Sequence, residues 1–257
     1  MLVLDKISKT FCANTPQEKV LFSDFSLTVN EGQFVSVIGS NGSGKTSMLN
    51  VICGSILQDS GHIYIGDKEI TKEKEHVRAK TIGRVFQDPA MGTCPSMSIL
   101  ENLSLAYVKG QPANLRFGIQ KKQIASFKDM LKPLGLGLED RLHVKVGTLS
   151  GGQRQALALL MCTMTPISFL ILDEHTAALD PKTAQTIMEL TDKIVKEKSL
   201  TALMVTHNLR YAVEYGNRIL MMHQGEAVLD KAGKEKENLQ VEDLLALFNQ
   251  ISIECGN

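Results

Sequence analysis

The chain has 257 residues, enough to bury a full core as one large domain or as a core carrying a subdomain. Its 28 basic and 28 acidic residues cancel, so no global field directs it to nucleic acid or to an anionic membrane surface. The five cysteines, at 12, 53, 94, 162 and 255, form no Cys-x-x-Cys pair, which suits a reducing cytosol and offers neither a disulfide frame nor a zinc site.

The opening Met1-Leu2-Val3-Leu4-Asp5-Lys6 lacks the character of a signal peptide. The longest apolar runs, such as 169–172, are far too short to span a bilayer, so any membrane role is expected from the cytosolic surface. Residues 2–7 predict a first strand, 12–19 a loop, and 20–22 with 25–29 either a strand pair or one continuing strand. Their partial alternation predicts an antiparallel sheet with one wet face. After the turn Asn30-Glu31-Gly32, the apolar run 33–38 predicts a strand. Then comes Gly39-Ser40-Asn41-Gly42-Ser43-Gly44-Lys45-Thr46, and from Ser47 to Cys53 the apolar residues fall at helical spacing.

Strand, glycine loop and helix are the context that the phosphate-binding pattern Gly-x-x-x-x-Gly-Lys-Ser/Thr requires. The glycines let the backbone turn its N–H groups inward onto an anion, and the helix N-terminus adds partial positive charge. Lys45 is expected to reach the β- and γ-phosphates, the Thr46 hydroxyl to ligate Mg²⁺, and Ser47 to complete the nucleotide-binding set. The loop predicts binding of a nucleoside triphosphate.

Further along, residues 61–67 predict a short strand and turn, and 82–86 a strand that delivers Gln87-Asp88-Pro89. From Pro95 to about Leu160 apolar residues recur at helical spacing (Ile99, Leu100, Leu103, then Ile124, Phe127, Leu131), which predicts a mainly helical subdomain inserted into an α/β core. Residues 169–172 predict a buried parallel strand, 181–197 an amphipathic helix and 200–206 another buried strand. A hairpin about 223–226 and a helix over 241–248 close the chain. The charged runs 72–80 and 231–237 read as solvated surface. The expected division is an α/β core with a β subdomain (1–94 and 156–230), a helical subdomain (95–155) and a C-terminal helix (231–257).

Asp173 and Glu174 end the strand 169–172. In a phosphate-loop protein the first acid at such a place typically holds Mg²⁺, and the second can orient and deprotonate an attacking water. Leu149-Ser150-Gly151-Gly152-Gln153 opens a helix and makes a second anion site of the same physical kind. Here the chain resembles the ATP-binding cassette (ABC) family, whose signature is Leu-Ser-Gly-Gly-Gln, and the resemblance covers essentially the whole chain. It implies an α/β P-loop NTPase (RecA-like) core with an antiparallel β subdomain and an inserted α-helical subdomain.

By the same resemblance Gln87 is the glutamine that touches Mg²⁺ or water, and Ala177-Ala178-Leu179-Asp180 is the D-loop. His207 is the switch histidine at the γ-phosphate, and Phe11 is the aromatic that stacks on adenine. Two departures stand out: Ala177 replaces a common serine, and His175 stands where many members carry proline. Several local stretches resemble a bacterial branch of importers linked to tryptophan or other amino acids.

In this family each nucleotide lies between the phosphate loop of one subunit and the signature of another. One set of motifs therefore implies a C₂ homodimer with two composite sites, separate permease subunits and an extracytoplasmic solute-binding protein. The resemblance places the protein peripherally on the cytoplasmic side of the membrane, docked through the helical section and the 87–97 loop, with no nucleic acid involved. The alternative is a non-transport ABC ATPase, serving lipoprotein release, cell division, or DNA or ribosomes.

Overall fold

The computed structural model describes residues 1–111, 118, 119 and 121–254, so Cys255 lies outside the described residues. Two long antiparallel strands, β1 (Leu2–Phe11) and β2 (Lys19–Val29), open the chain. β2 is one strand, although Phe22 and Phe25 are three apart and break the period of two. The register shifts between Ile7 and Lys9, and Asp24 takes a left-handed φ of 51°. Such an irregularity lets both rings face the core, where they stack with centroids 5.2 Å apart. With β4 (Ser60–Ile65) and β5 (Lys68–Glu69) these strands form a four-stranded sheet of order β2-β1-β4-β5.

β3 (Phe34–Gly39) lies inside a second sheet, flanked in parallel by β8 (Ala202–Val205) and β9 (Arg218–His223). β7 (Phe169–Asp173) and β6 (Ile82–Val85) continue it in parallel, and β10 (Glu226–Ala232) pairs antiparallel with β9. The order is β10-β9-β3-β8-β7-β6. β3, β7 and β8 are buried along their whole length, which is why they read as unbroken apolar runs.

α1 (Lys45–Cys53) follows β3, and α2 (Glu75–Arg78) lies between β5 and β6. The helical section holds α3 (Ile99–Tyr107), α4 (Ile124–Leu131) and the start of α5 (Gly151–Thr163). α5 runs unbroken past 155, so the division expected at 155/156 falls inside one helix. Leu157 and Leu160 of α5 share a core with Leu103, Phe127 and the sheet residue Leu172. α6 (Pro181–Glu197) joins this core through Ile187 and Met188, and α7 (Leu209–Glu214) follows β8.

The C-terminal section is not a single helix. Residues 231 and 232 finish β10, an edge strand too exposed to show a buried period, and α8 (Lys234–Glu237) and α9 (Val241–Glu254) follow. No described helix is long and apolar enough to cross a membrane.

The charged runs are not wholly solvated. Arg78 is 1% exposed and Lys236 4%. Arg78 donates to the carbonyls of Val51 and Ile52, in the last turn of α1, and to those of Thr71 and Glu73, at 2.8–2.9 Å. The guanidinium thus satisfies carbonyls that a helix end leaves without intrahelical partners. Lys236 donates to the carbonyls of Val213 and Tyr215. Each cation is buried because several oxygens replace its water.

Candidate nucleotide site

α1 starts from Gly44, whose left-handed φ of 104° most side chains would resist, and no side chain caps the helix. Its first-turn N–H groups therefore remain available to an anion. The Gly225 N–H holds the loop from the β9–β10 turn by donating to Ser43 O at 3.0 Å. Lys45 is 5% exposed, and its Nζ donates to Gly39 O at 2.8 Å and Ser40 O at 2.9 Å. Burial pushes the ammonium below its ordinary pKa, and the Glu174 carboxylate pushes it up. Ser43 Oγ is buried with no hydrogen-bond partner among the described residues. Residues 41–47 line a cleft of about 210 Å³ together with Phe11, Lys19, Leu21, Glu174 and His207.

Phe11 and Lys19 reach this cleft as register partners at the end of β1 and β2 that the loop 12–18 connects. Glu174 reaches it because its N–H donates to Val205 O at 3.0 Å, tying the end of β7 to β8, while its own φ is 47°. Its Oε1 lies 2.7 Å from His207 Nε2. Asp173, one residue earlier and on the other side of the strand, faces a neighbouring groove with Gln87, Asn50 and Arg84. Arg84 Nη2 donates to Asp173 Oδ2 at 2.6 Å, and Nη1 to Asn50 Oδ1 at 2.8 Å. Gln87 is exposed and lines that groove rather than the cleft.

The signature residues lie elsewhere. Ser150 caps α5: its Oγ accepts from Gln153 N–H, and Gln153 Oε1 accepts from Ser150 N–H, both at 3.2 Å. This capping box occupies two donors and leaves the Gly151 and Gly152 amides, with the Ser150 hydroxyl proton, free to meet an anion. Asp180 caps α6 by accepting from Thr183 N–H at 3.1 Å, and the Thr183 hydroxyl first, with this N–H second, holds its carboxyl below the usual range. The two helix starts pack together so closely that a Cβ on Gly152 would lie 2.2 Å from Thr183 Cγ2. That glycine is needed for packing as well as for any anion. None of Ser150, Gly151, Gly152, Gln153 and Asp180 lines the cleft of their own chain.

His175 is buried at 2% exposure, and its Nε2 lies 3.0 Å from Thr191 Oγ1. Thr191 spends its hydroxyl proton on Ile187 O at 2.7 Å, so Nε2 is the donor to Thr191, and burial disfavours the charged form of the ring. Sequence reasoning missed Arg84, Asn50 and Lys19. An arginine inside the apolar strand Ile82-Gly83-Arg84-Val85 was the available signal, since a buried charge requires a partner.

A family model described as ABC transporter matches residues 22–177. The chain belongs to the ABC transporter family. A tyrosine transport ATP-binding protein of Clostridioides difficile is 48% identical over 96% of this chain and 98% of its own length. HrtA of Staphylococcus epidermidis, a protein named for hemin import, is 32% identical over 88% of this chain and 97% of its own. Among solved structures, the nucleotide-free cassette of an ABC transporter is 25% identical with a TM-score of 0.80, covering 100% of this chain and 99% of that one. The dimeric cassette MJ0796 with ADP and Pi is 29% identical with a TM-score of 0.74, covering 90% of this chain and 98% of that one. The protein is thus an ABC ATPase with the P-loop NTPase architecture, the ATP-binding and ATP-hydrolysing subunit of a transporter.

The residues of this ABC ATPase fit MgATP. The uncapped start of α1, the buried ammonium of Lys45 and the unpartnered Ser43 Oγ fit phosphate oxygens. The Thr46 hydroxyl and the Asp173 carboxylate are hard oxygen donors of the kind Mg²⁺ takes.

Proposed function

We propose that this ABC ATPase energises uptake of a small solute, an amino acid of the tyrosine class, as a homodimer docked on separate permease subunits at the cytoplasmic face of the membrane. A solute-binding protein on the other side would supply the substrate. The observation that carries the catalytic reading is the Glu174–His207 pair at the mouth of the phosphate-loop cleft. The solute class is supported by the tyrosine transport relative, whose 48% identity extends over 96% of the chain. The balanced charge and the absence of a long insertion favour transport over action on DNA or ribosomes.

In this reading the adenine stacks on Phe11, while residues 39–47 and the Lys45 ammonium hold the phosphates. Glu174 orients a water for in-line attack on the γ-phosphorus and accepts its proton. A bond forms from the water oxygen to phosphorus, the bond to the β,γ-bridging oxygen breaks, and ADP leaves. His207 holds Glu174 through Oε1 and stands where it can also meet the γ-phosphate. Mg²⁺, held by Thr46 and Asp173 with Gln87 nearby, would neutralise charge on the β- and γ-oxygens.

The Gly151 and Gly152 amides and the Ser150 hydroxyl lie away from their own chain's cleft. They serve the γ-phosphate of a second copy, with Gln153 bracing the cap and Asp180 bracing the adjoining helix. Hydrolysis removes that bridge, the two copies separate, and the permease changes shape.

The protein reconstituted with its permease and binding protein in proteoliposomes tests this. ATP hydrolysis should rise with the permease and rise again with tyrosine. Stimulation by ribosomes or DNA in place of the permease would sink the transport reading, and stimulation by hemin but not tyrosine would replace the solute.

A further inference from the structure

Arg84 joins three elements that surround Asp173. Its Nη1 donates to Asn50 on α1, its Nη2 to Asp173 Oδ2 at the end of β7, and its guanidinium lies over the Phe86 ring, 4.8 Å from the centroid. The Arg84 and Asp173 side chains are only 13% and 12% exposed. Arg84 Nε has no hydrogen-bond partner among the described residues, and the Cys53 thiol lies beside the guanidinium, so the two oxygens and the ring are its main fixed contacts. A buried ion pair adds little stability over a well-packed apolar pair, so stability alone is a weak reason for a charge in this apolar strand. Its effect on Asp173 is specific: Oδ2 is committed to Nη2, and Oδ1 has no hydrogen-bond donor among the described residues.

We propose that Arg84 is a positioning residue for Asp173, holding the carboxylate so that Oδ1 is available to the divalent cation of the bound nucleotide. The proposal rests on the reading of Asp173 as a Mg²⁺-holding residue. A planar fork suits the task because it grips Asn50 and Asp173 at once, which an ammonium on a flexible stem does less well. The same clamp reaches the loop of Gln87. Phe86 lies under the guanidinium, and the Phe86 carbonyl accepts from Gln155 Nε2 of α5 at 3.1 Å. The orientation of Asp173 is thereby tied to the groove that Gln87 lines and to the signature helix.

The test measures Mn²⁺ affinity by electron paramagnetic resonance in the presence of ADP, and ADP affinity without metal, for the parent, Arg84→Met, Arg84→Lys and Asp173→Asn. Arg84→Met should weaken Mn²⁺ binding roughly 10–100-fold while metal-free ADP binding stays near the parent, the size expected when the partner that orients a ligand is lost. Arg84→Lys, which keeps the charge and guards against a folding failure, should fall between Met and the parent. If both Arg84 variants bind Mn²⁺ within about two-fold of the parent while Asp173→Asn binds it poorly, Arg84 is only structural and the proposal is overturned. If Asp173→Asn itself leaves Mn²⁺ affinity unchanged, the metal role of Asp173 fails, and that of Arg84 with it.

Discussion

Glu174 Oε1 and His207 Nε2 meet at 2.7 Å, joining the end of β7 to the turn after β8. Glu174 is 16% exposed at its side chain and His207 46%, so the carboxylate is sheltered and the imidazole faces the opening. One carboxylate oxygen is engaged by the ring, and the other is left for water. Glu174→Gln should therefore keep ATP binding, accumulate an ATP-dependent dimer and lower turnover roughly 10²–10⁴-fold, the usual contribution of a general base. Phosphate release and light scattering measure the two effects. Hydrolysis at the parental rate would remove Glu174 from the role.

Phe11 offers the cleft a flat face with no hydroxyl. Base–aromatic stacking is worth about 1–3 kcal/mol, so Phe11→Ala should weaken ATP binding roughly 5–150-fold. Phe11→Tyr should bind within about two-fold of the parent, because the ring face is kept. Equal affinities of the alanine variant and the parent for a fluorescent ATP analogue would transfer the stacking role to another residue.

His175 makes stability depend on pH. Burial pushes its pKa from 6.5 down to about 4. Below pH 6.5 the unfolded imidazole takes a proton that the folded one refuses until about pH 4. The unfolded state then binds more protons, so folding stability falls as pH drops through that window and is fully present above it. The loss is about 3 kcal/mol by linkage. In urea unfolding at pH 7.5 and 4.5, His175→Gln should show a smaller difference between the two conditions than the parent by about 2–3 kcal/mol. Parallel pH profiles would show that His175 does not carry this dependence.

Arg78 bonds the last-turn carbonyls of the helix that follows the phosphate loop, a helix that ends at Gly54. Arg78→Ala leaves four carbonyls at Val51, Ile52, Thr71 and Glu73 without this donor. A destabilisation on the order of 3 kcal/mol is expected, since several buried acceptors lose this donor at once, although Val51 O keeps the Gly54 N–H. A denaturation midpoint equal to the parent's would mean that water replaces the guanidinium.

The phosphate loop, the acids 173 and 174 and the signature 149–153 could be read from the chain because each is a run of neighbouring residues whose chemistry depends on local backbone. Buried parallel strands were legible for a similar reason, since burial on both faces writes an unbroken apolar run. Phe22 and Phe25 could not be placed on one strand from spacing alone, because the bulge that brings both inward depends on the partner strand. Arg78 and Lys236 looked like solvated charges, because the carbonyls that accept from them come from other elements.

The local sequence determined the phosphate-loop pattern and two helix starts whose free amides are suited to an anion. Tertiary structure decided which groups meet. It paired Glu174 with His207, set Arg84 on Asp173 across 89 residues and put the signature away from its own phosphate loop. Those relations arise from strand order and helix packing, which act between residues far apart in the chain and leave no period or motif in it.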